Sequence, residues 1–169
     1  MAKPLVSPAE PCPVARALAL IGDRWSLLIV RDAFDGTRRF SDFQRGLGVA
    51  RSILADRLRS LVEAGIFEVG PASDGSAYQQ YLLTPKGTQL FAVVVALRQW
   101  GEQQLFAPGE AHSQLVETRS GQALGLMRPI TANGKAIAPE ATTVIKLPAP
   151  AQGVVQRSNK AAKSASGAA

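Results

Sequence analysis

Nine arginines and no lysine lie between Arg16 and Arg59. A guanidinium makes forked hydrogen bonds to phosphate and guanine that an ammonium cannot, so this bias suits a nucleic-acid partner. Six of the nine fall in one stretch, RRFSDFQRGLGVARSILADRLRSLVEA, from Arg38 to Ala64. The other reactive side chains are sparse. A single cysteine, Cys12, excludes an internal disulfide framework and points to a reducing compartment. The one histidine, His112, has no cluster of further ligands beside it, so no metal is expected. Cys12, His112 and the acids have no spacing that assembles a nucleophile or an acid–base pair, which makes an enzyme the least favoured class. No cofactor motif is present.

The arginine-rich stretch needs two helices to present it. Ser41 is expected to cap a short helix with Phe43 and Leu47 on one face. Gly46 to Val49 makes a turn in which glycine takes positive φ at little cost. A longer helix follows from about Ala50, with Ile53, Leu54, Leu58, Leu61 and Val62 inward at helical spacing. Its other face shows Arg51, Ser52, Ala55, Asp56, Arg59 and Ser60. Helix, glycine turn and a second helix with a basic, small-residue face is the geometry of a helix-turn-helix. An ordinary helical hairpin fits the same residues.

Upstream, Pro13 suits a first helical position, and Val14, Ala17, Leu18 and Ile21 line one face up to Gly22. Asp23 is expected to cap a second helix with Trp25, Leu28, Ile29 and Phe34 inward, closed by Gly36. Arg38 to Phe40 could form a brief strand. Downstream, Ile66 to Val69 and Tyr78 to Leu83 read as strands around a turn-rich GPASDGS, a hairpin placed like the wing of a winged helix. Thr84-Pro85 opens one more helix, with an apolar stripe of Leu90, Phe91, Val94, Leu97 and Leu105. Gln89, Arg98, Gln99, Glu102 and Gln103 are its polar positions. The stripe carries more apolar surface than a small domain needs for itself, which favours packing against a second copy.

The chain has 169 residues, 46% apolar, with net charge +6 and a pI near 10.0. Its length suits one domain with extensions. Part of the positive charge belongs to the C-terminal end, and a basic tail is usually a solubilising one. The start MAKPLVSPAE has no apolar core of a secretory signal, and no apolar run could span a bilayer, so the chain reads as cytoplasmic. Residues 1–11 read as a flexible lead-in and 12–107 as the folded unit. Residues 108–147 read as a β-rich extension with hairpin signals at Ser120-Gly121 and Asn133-Gly134, and Val144 to Leu147 as a last strand. Residues 148–169 read as a disordered Ala/Ser/Lys tail. The fold class is mainly α with a small β-wing: a winged helix-turn-helix plus a small C-terminal β-rich extension.

The span from Cys12 to Phe106 resembles the HxlR-type winged helix-turn-helix transcriptional regulators, relatives of the MarR group. The resemblance rests on CPVARALALIGDRWSLLIVRDAFDG, RRFSDFQRGLGVARSILADRLRSLVEAGIF and YLLTPKG in the family's order and spacing. It implies a homodimer that binds a double-stranded inverted-repeat operator and represses or activates nearby genes. It also implies a response to a reactive or aromatic small molecule. By this resemblance Ala50, Arg51, Ser52 and Ala55, at the start of this helix, face base edges, with Arg51 the best forked contact to guanine and Ser52 a contact to a base or a phosphate. Arg38, Arg39 and Arg59 are implied phosphate contacts, and Arg57 is either structural or phosphate-binding.

Two departures stand out. The family commonly starts this helix with a capping serine; Ala50 replaces it, at a cost of about 1 kcal/mol unless another cap substitutes. The wing has Asp74 and no Lys or Arg, with Tyr78 near the family's basic position, so recognition should lean on the long helix. Cys12 matches a cysteine that senses oxidants or electrophiles in several members; the bland alternative is a small hydrophobe at a helix start. A further reading has Trp25, Phe34 and Phe91 line a ligand pocket between subunits, although such residues are more often plain core. The competing class is a winged-helix module that binds protein and not DNA.

Overall fold

The computed structural model describes residues 10–72 and 78–146. Most of the expected lead-in, Asp74 of the wing, Leu147 and the whole expected tail fall outside those residues. Four helices come first: α1 (Pro13–Ile21), α2 (Ser26–Phe34), α3 (Phe40–Leu47) and α4 (Arg51–Glu63). An antiparallel pair follows, β1 (Phe67–Pro71) and β2 (Gln79–Leu83), with Phe67 opposite Leu83 and Val69 opposite Tyr81. The short α5 (Pro85–Thr88) and the long α6 (Phe91–Gln104) complete the unit. No helix among the described residues is long and apolar enough to cross a membrane.

The core lies where α2, α3, α4 and β1 meet. Ile29, Val30, Ala33, Phe43, Leu54, Leu58, Leu61, Ile66 and Phe67 are buried there. Phe43 is its centre, edge-on to Phe67 at 6.4 Å and to Tyr81 at 6.5 Å. Such aromatic pairs add to the burial of their area, and this one ties α3 to both strands. Gly48 ends α3 in the left-handed conformation, φ 60° and ψ 25°, which lets the chain reverse into α4.

Several local expectations are corrected. Ser41 lies inside α3, and Arg39 holds the N-cap without a side-chain bond. Arg38 to Phe40 is not a strand: Phe40 already belongs to α3, and pairing is limited to the Arg38 carbonyl accepting from the Tyr81 amide at 2.8 Å. Ile53 faces outward, 41% exposed, because the buried side of α4 is centred on Leu54, Leu58 and Leu61. The single helix expected from Pro85 breaks after Thr88. Thr84 Oγ1 accepts from the Gly87 amide at 3.1 Å and donates to the Gly65 carbonyl at 2.7 Å, which pins α5 beneath the end of α4. The Leu90 amide then reaches only three residues back, to Gly87, before α6 begins.

Gly87 makes that docking possible. A β-carbon there would stand 2.2 Å from the Ile66 carbonyl oxygen. Gly87→Ala must push α5 off the strand, so thermal unfolding should show a loss of about 1–3 kcal/mol.

The extension holds its two turns where the glycines signal them, with Gly121 at φ 69° and Gly134 at φ 79°. Each turn closes only one bridge, Val116 to Ala123 and Ile130 to Ala136, so the expected hairpins do not extend into strands among the described residues. Side chains of α6 hold the segment in place of a sheet. Arg98 donates to the Ser113 carbonyl at 2.8 Å. Gln99 donates to the Gly125 carbonyl at 2.9 Å and accepts from the Met127 amide at 2.8 Å, a side-chain imitation of strand pairing. Removing both bonds in Gln99→Ala should speed hydrogen exchange at the Met127 amide about tenfold and leave the α2–α4 core unchanged.

Candidate nucleic-acid interface

The N-terminal turn of α4 stands open to solvent. Ala50, Arg51 and Ser52 are exposed, and Ala50 supplies no side-chain cap, as its methyl group dictates. Ser52, Asp56 and Arg59 continue the outer face, with Ala55 half-buried beside them. Arg59 pairs with Asp56 at 3.1 Å, and Arg45 on α3 pairs with Asp42 at 3.2 Å. Exposed pairs of this kind are worth about 0–1 kcal/mol, so a phosphate can take over either arginine.

Arg51 lies to one side of this face. Its guanidinium carbon is 5.3 Å from the centre of the Phe40 ring, at the first residue of α3. Arg39 approaches the Tyr78 ring in the same way, at 5.7 Å. Between them opens a cleft lined also by Ser41, Gln79 and Tyr81. The wing base and the two helix starts therefore share one basic concavity. The bond from Tyr81 to the Arg38 carbonyl fixes the approach of Arg38 and Arg39 to it. Gln79, Tyr78 and Arg45 join the surface without having been singled out as contacts. The strand expected over Tyr78 to Leu83 put Tyr78 and Gln79 at the wing, but only the packing of α3 brings them beside Arg51.

Arg57 has a different task. It reaches back to Asp23 at 3.5 Å, and both side chains are partly buried. The Asp23 carboxylate also accepts from the Trp25 amide at 2.9 Å, from the Ser26 amide at 3.1 Å and from the Ser26 hydroxyl. Trp25, not Asp23, holds the N-cap of α2, but the Asp23 carboxylate still satisfies the first amides of the helix from two residues upstream while anchoring α4. Partial burial pushes its pKa up, but the Ser26 hydroxyl, the two amides and Arg57 outweigh that, and the carboxyl sits below its ordinary value. A depressed folded-state pKa means stability that is present above the unfolded value and lost as pH falls through the folded one. Asp23→Ala should cost about 1–2 kcal/mol in thermal melts at neutral pH, and the gap to the wild type should narrow on acidification through the carboxylate range.

Cys12 is free and exposed at the N-cap of α1. Its amide donates to Glu10 Oε1 at 3.0 Å, and Arg16 donates to the Glu10 carbonyl. Within one chain Trp25 stands apart from Phe34 and Phe91. Phe34 and Phe91 meet edge-on at 5.1 Å. Trp25 lies at the opposite end of α2, roughly 13 Å away along the axis at 1.5 Å per residue, with Arg24 over its ring. Among the described residues no group of His, Cys, Asp and Glu could hold a metal.

Apolar side chains remain uncovered on two helices. Val14 is 64% and Leu18 57% exposed on α1, although both belong to its apolar face. On α6, Leu97 is 49% and Trp100 58% exposed, and only Val95 is buried. An apolar groove lined by Leu27, Leu28, Leu97, Leu105 and Phe106 runs between α2 and α6.

A model of the HxlR-like helix-turn-helix family matches residues 20–108, just over half of the chain. The chain belongs to that family. The uncharacterized HTH-type transcriptional regulator Rv3095 of Mycobacterium tuberculosis is 50% identical over 95 residues, 56% of this chain and 60% of the relative. The match thus spans less than two thirds of that relative's length. The crystal structure of PA1607, a candidate transcription factor, is 52% identical with a TM-score of 0.77, covering 81% of this chain and 96% of that one. An overlap of 81% is longer than the first 108 residues can supply, so it takes in part of the extension of this HxlR-like chain. The redox regulator HypR in its reduced form is 28% identical with a TM-score of 0.51, covering 56% of this chain and 94% of that one.

Proposed function

We propose that this HxlR-like protein is a transcriptional regulator that binds double-stranded DNA as a homodimer on an inverted-repeat operator. The observation that carries the reading is the solvent-exposed N-terminal turn of α4, with Arg51, Ser52 and the Arg39 cleft beside it and none of the described residues covering them. A helix start in that setting fits the major groove, where a guanidinium can fork onto guanine O6 and N7. Arg38, Arg39, Arg45 and Arg59 take phosphates, while Ala50 and Ala55 allow close approach. Arg57, held by Asp23, keeps α4 in place.

The exposed apolar residues of α1 and α6 support a second copy as the partner. Two copies related by a two-fold axis would set their α4 helices about 34 Å apart, one DNA turn. A dimer lodged in a promoter blocks polymerase, so repression is the simplest output. Cys12 is the residue at which an oxidant or electrophile would react, which the likeness to a named redox regulator supports. Phe34 and Phe91, edge-on at 5.1 Å, are the aromatic pair proposed to meet an aromatic effector. The protein acts where the DNA is, in the cytoplasm.

Footprinting of the region upstream of the neighbouring gene tests this. Protection of an inverted repeat, with affinity falling steeply as salt rises, is the expected result. Absence of any protected repeat, with capture of a protein partner, would favour the interaction-module reading. Cys12→Ser should abolish the response of operator binding to hydrogen peroxide or a quinone.

A further inference from the structure

Arg51 does not project freely from α4. Its guanidinium carbon lies over the Phe40 ring at 5.3 Å, within the range at which a cation is drawn to the face of an aromatic ring. Phe40 is itself held, partly buried against the core at the first turn of α3. The ring is therefore a fixed shelf, set by the helix that precedes the recognition turn. A guanidinium over a ring keeps its N–H donors at the rim, free to meet a base edge. It has also given up side-chain freedom before binding that a solvent-borne arginine must give up on binding.

We infer that Phe40 is a positioning residue for base readout, its ring holding the Arg51 fork at the mouth of the cleft between α4 and β2. This rests on the DNA-binding reading above. Phe40 touches no base; it acts through Arg51. The neighbouring Arg39 on Tyr78 repeats the device at the wing base, 5.7 Å from ring to guanidinium carbon.

The test uses the full chain with Phe40→Leu and Phe40→Tyr, each also combined with Arg51→Ala. Two readouts are needed: anisotropy binding to an operator duplex and to a scrambled duplex at one salt concentration, and proton shifts of the Arg51 side chain in the free protein. Phe40→Leu should weaken operator binding about 2–5-fold and leave the scrambled duplex unchanged. Phe40→Tyr should behave as wild type, and Phe40→Leu should add nothing once Arg51 is alanine. The Arg51 side-chain protons should be shifted upfield by the ring in wild type and in Phe40→Tyr, and unshifted in Phe40→Leu. Equal weakening on both duplexes, or an undiminished effect in the Arg51→Ala background, would assign Phe40 to the core alone and overturn the inference. Unshifted Arg51 protons in wild type would overturn it without any DNA, even if the leucine variant does not fold. A wild type with shifted protons but no operator preference overturns the DNA-binding reading, and readout positioning with it.

Discussion

Arg51→Ala lowers affinity for the cognate operator by about 1–3 kcal/mol per readout contact and barely changes affinity for random duplex. The asymmetry follows from where the side chain stands. Arg51 leans on Phe40 at the rim of the cleft, at the N-terminal end of α4 that the proposed reading places in the groove. On the proposed reading, truncation removes a forked donor to a base edge and leaves Arg38, Arg39, Arg45 and Arg59 to attract the backbone. Titration of operator and scrambled duplexes across a salt series checks this. The salt slope should fall by no more than one phosphate equivalent. Arg59→Ala gives the complementary result, since its partner is the exposed Asp56. It should weaken both duplexes alike and reduce the slope by about one. If Arg51→Ala weakened both duplexes equally, Arg51 would be a phosphate contact and the reader would have to be sought at Ser52 or Ile53.

Leu97→Glu should separate the subunits of the proposed homodimer and remove operator binding with them. Leu97 lines the groove between α2 and α6 and stays half exposed in a single chain. A well-packed apolar residue at the centre of such a surface commonly contributes about 2–4 kcal/mol, and a buried unpaired carboxylate costs more. Sedimentation should find the variant as a monomer at micromolar concentration. Operator affinity should drop by at least two orders of magnitude, because one half-site contact no longer places the other. The helix content should be kept, since Leu97 is not part of the core. A Leu97→Glu protein that remains dimeric would move the interface elsewhere, with α1 and its exposed Val14 and Leu18 the next place to look.

Helical period and turn chemistry are local, and that is why so much of the architecture could be read from the chain. Gly48 ends α3 because only glycine takes its φ cheaply, and Gly121 and Gly134 mark the extension's turns for the same reason. Asp23 satisfies the first amides of α2 within three residues of itself. Leu54, Leu58 and Leu61 bury one side of α4 at helical spacing. Where local rules failed, a distant group had intervened. The helix from Pro85 breaks because Thr84 bonds the Gly65 carbonyl, nineteen residues back. The expected hairpins shrink to single bridges, and Gln99, on α6, takes bonds a neighbouring strand would have made.

The same division holds at the DNA face. That α4 carries arginine and small residues outward is a property of one helix, and the residue order alone determined it. That Arg57 belongs to Asp23, that Arg51 rests on Phe40, and that Trp25 is parted from Phe34 and Phe91 are contacts between segments. Only packing decided those. A side chain's period fixes the direction it leaves its own helix, but its partner depends on which other helix lies across its path.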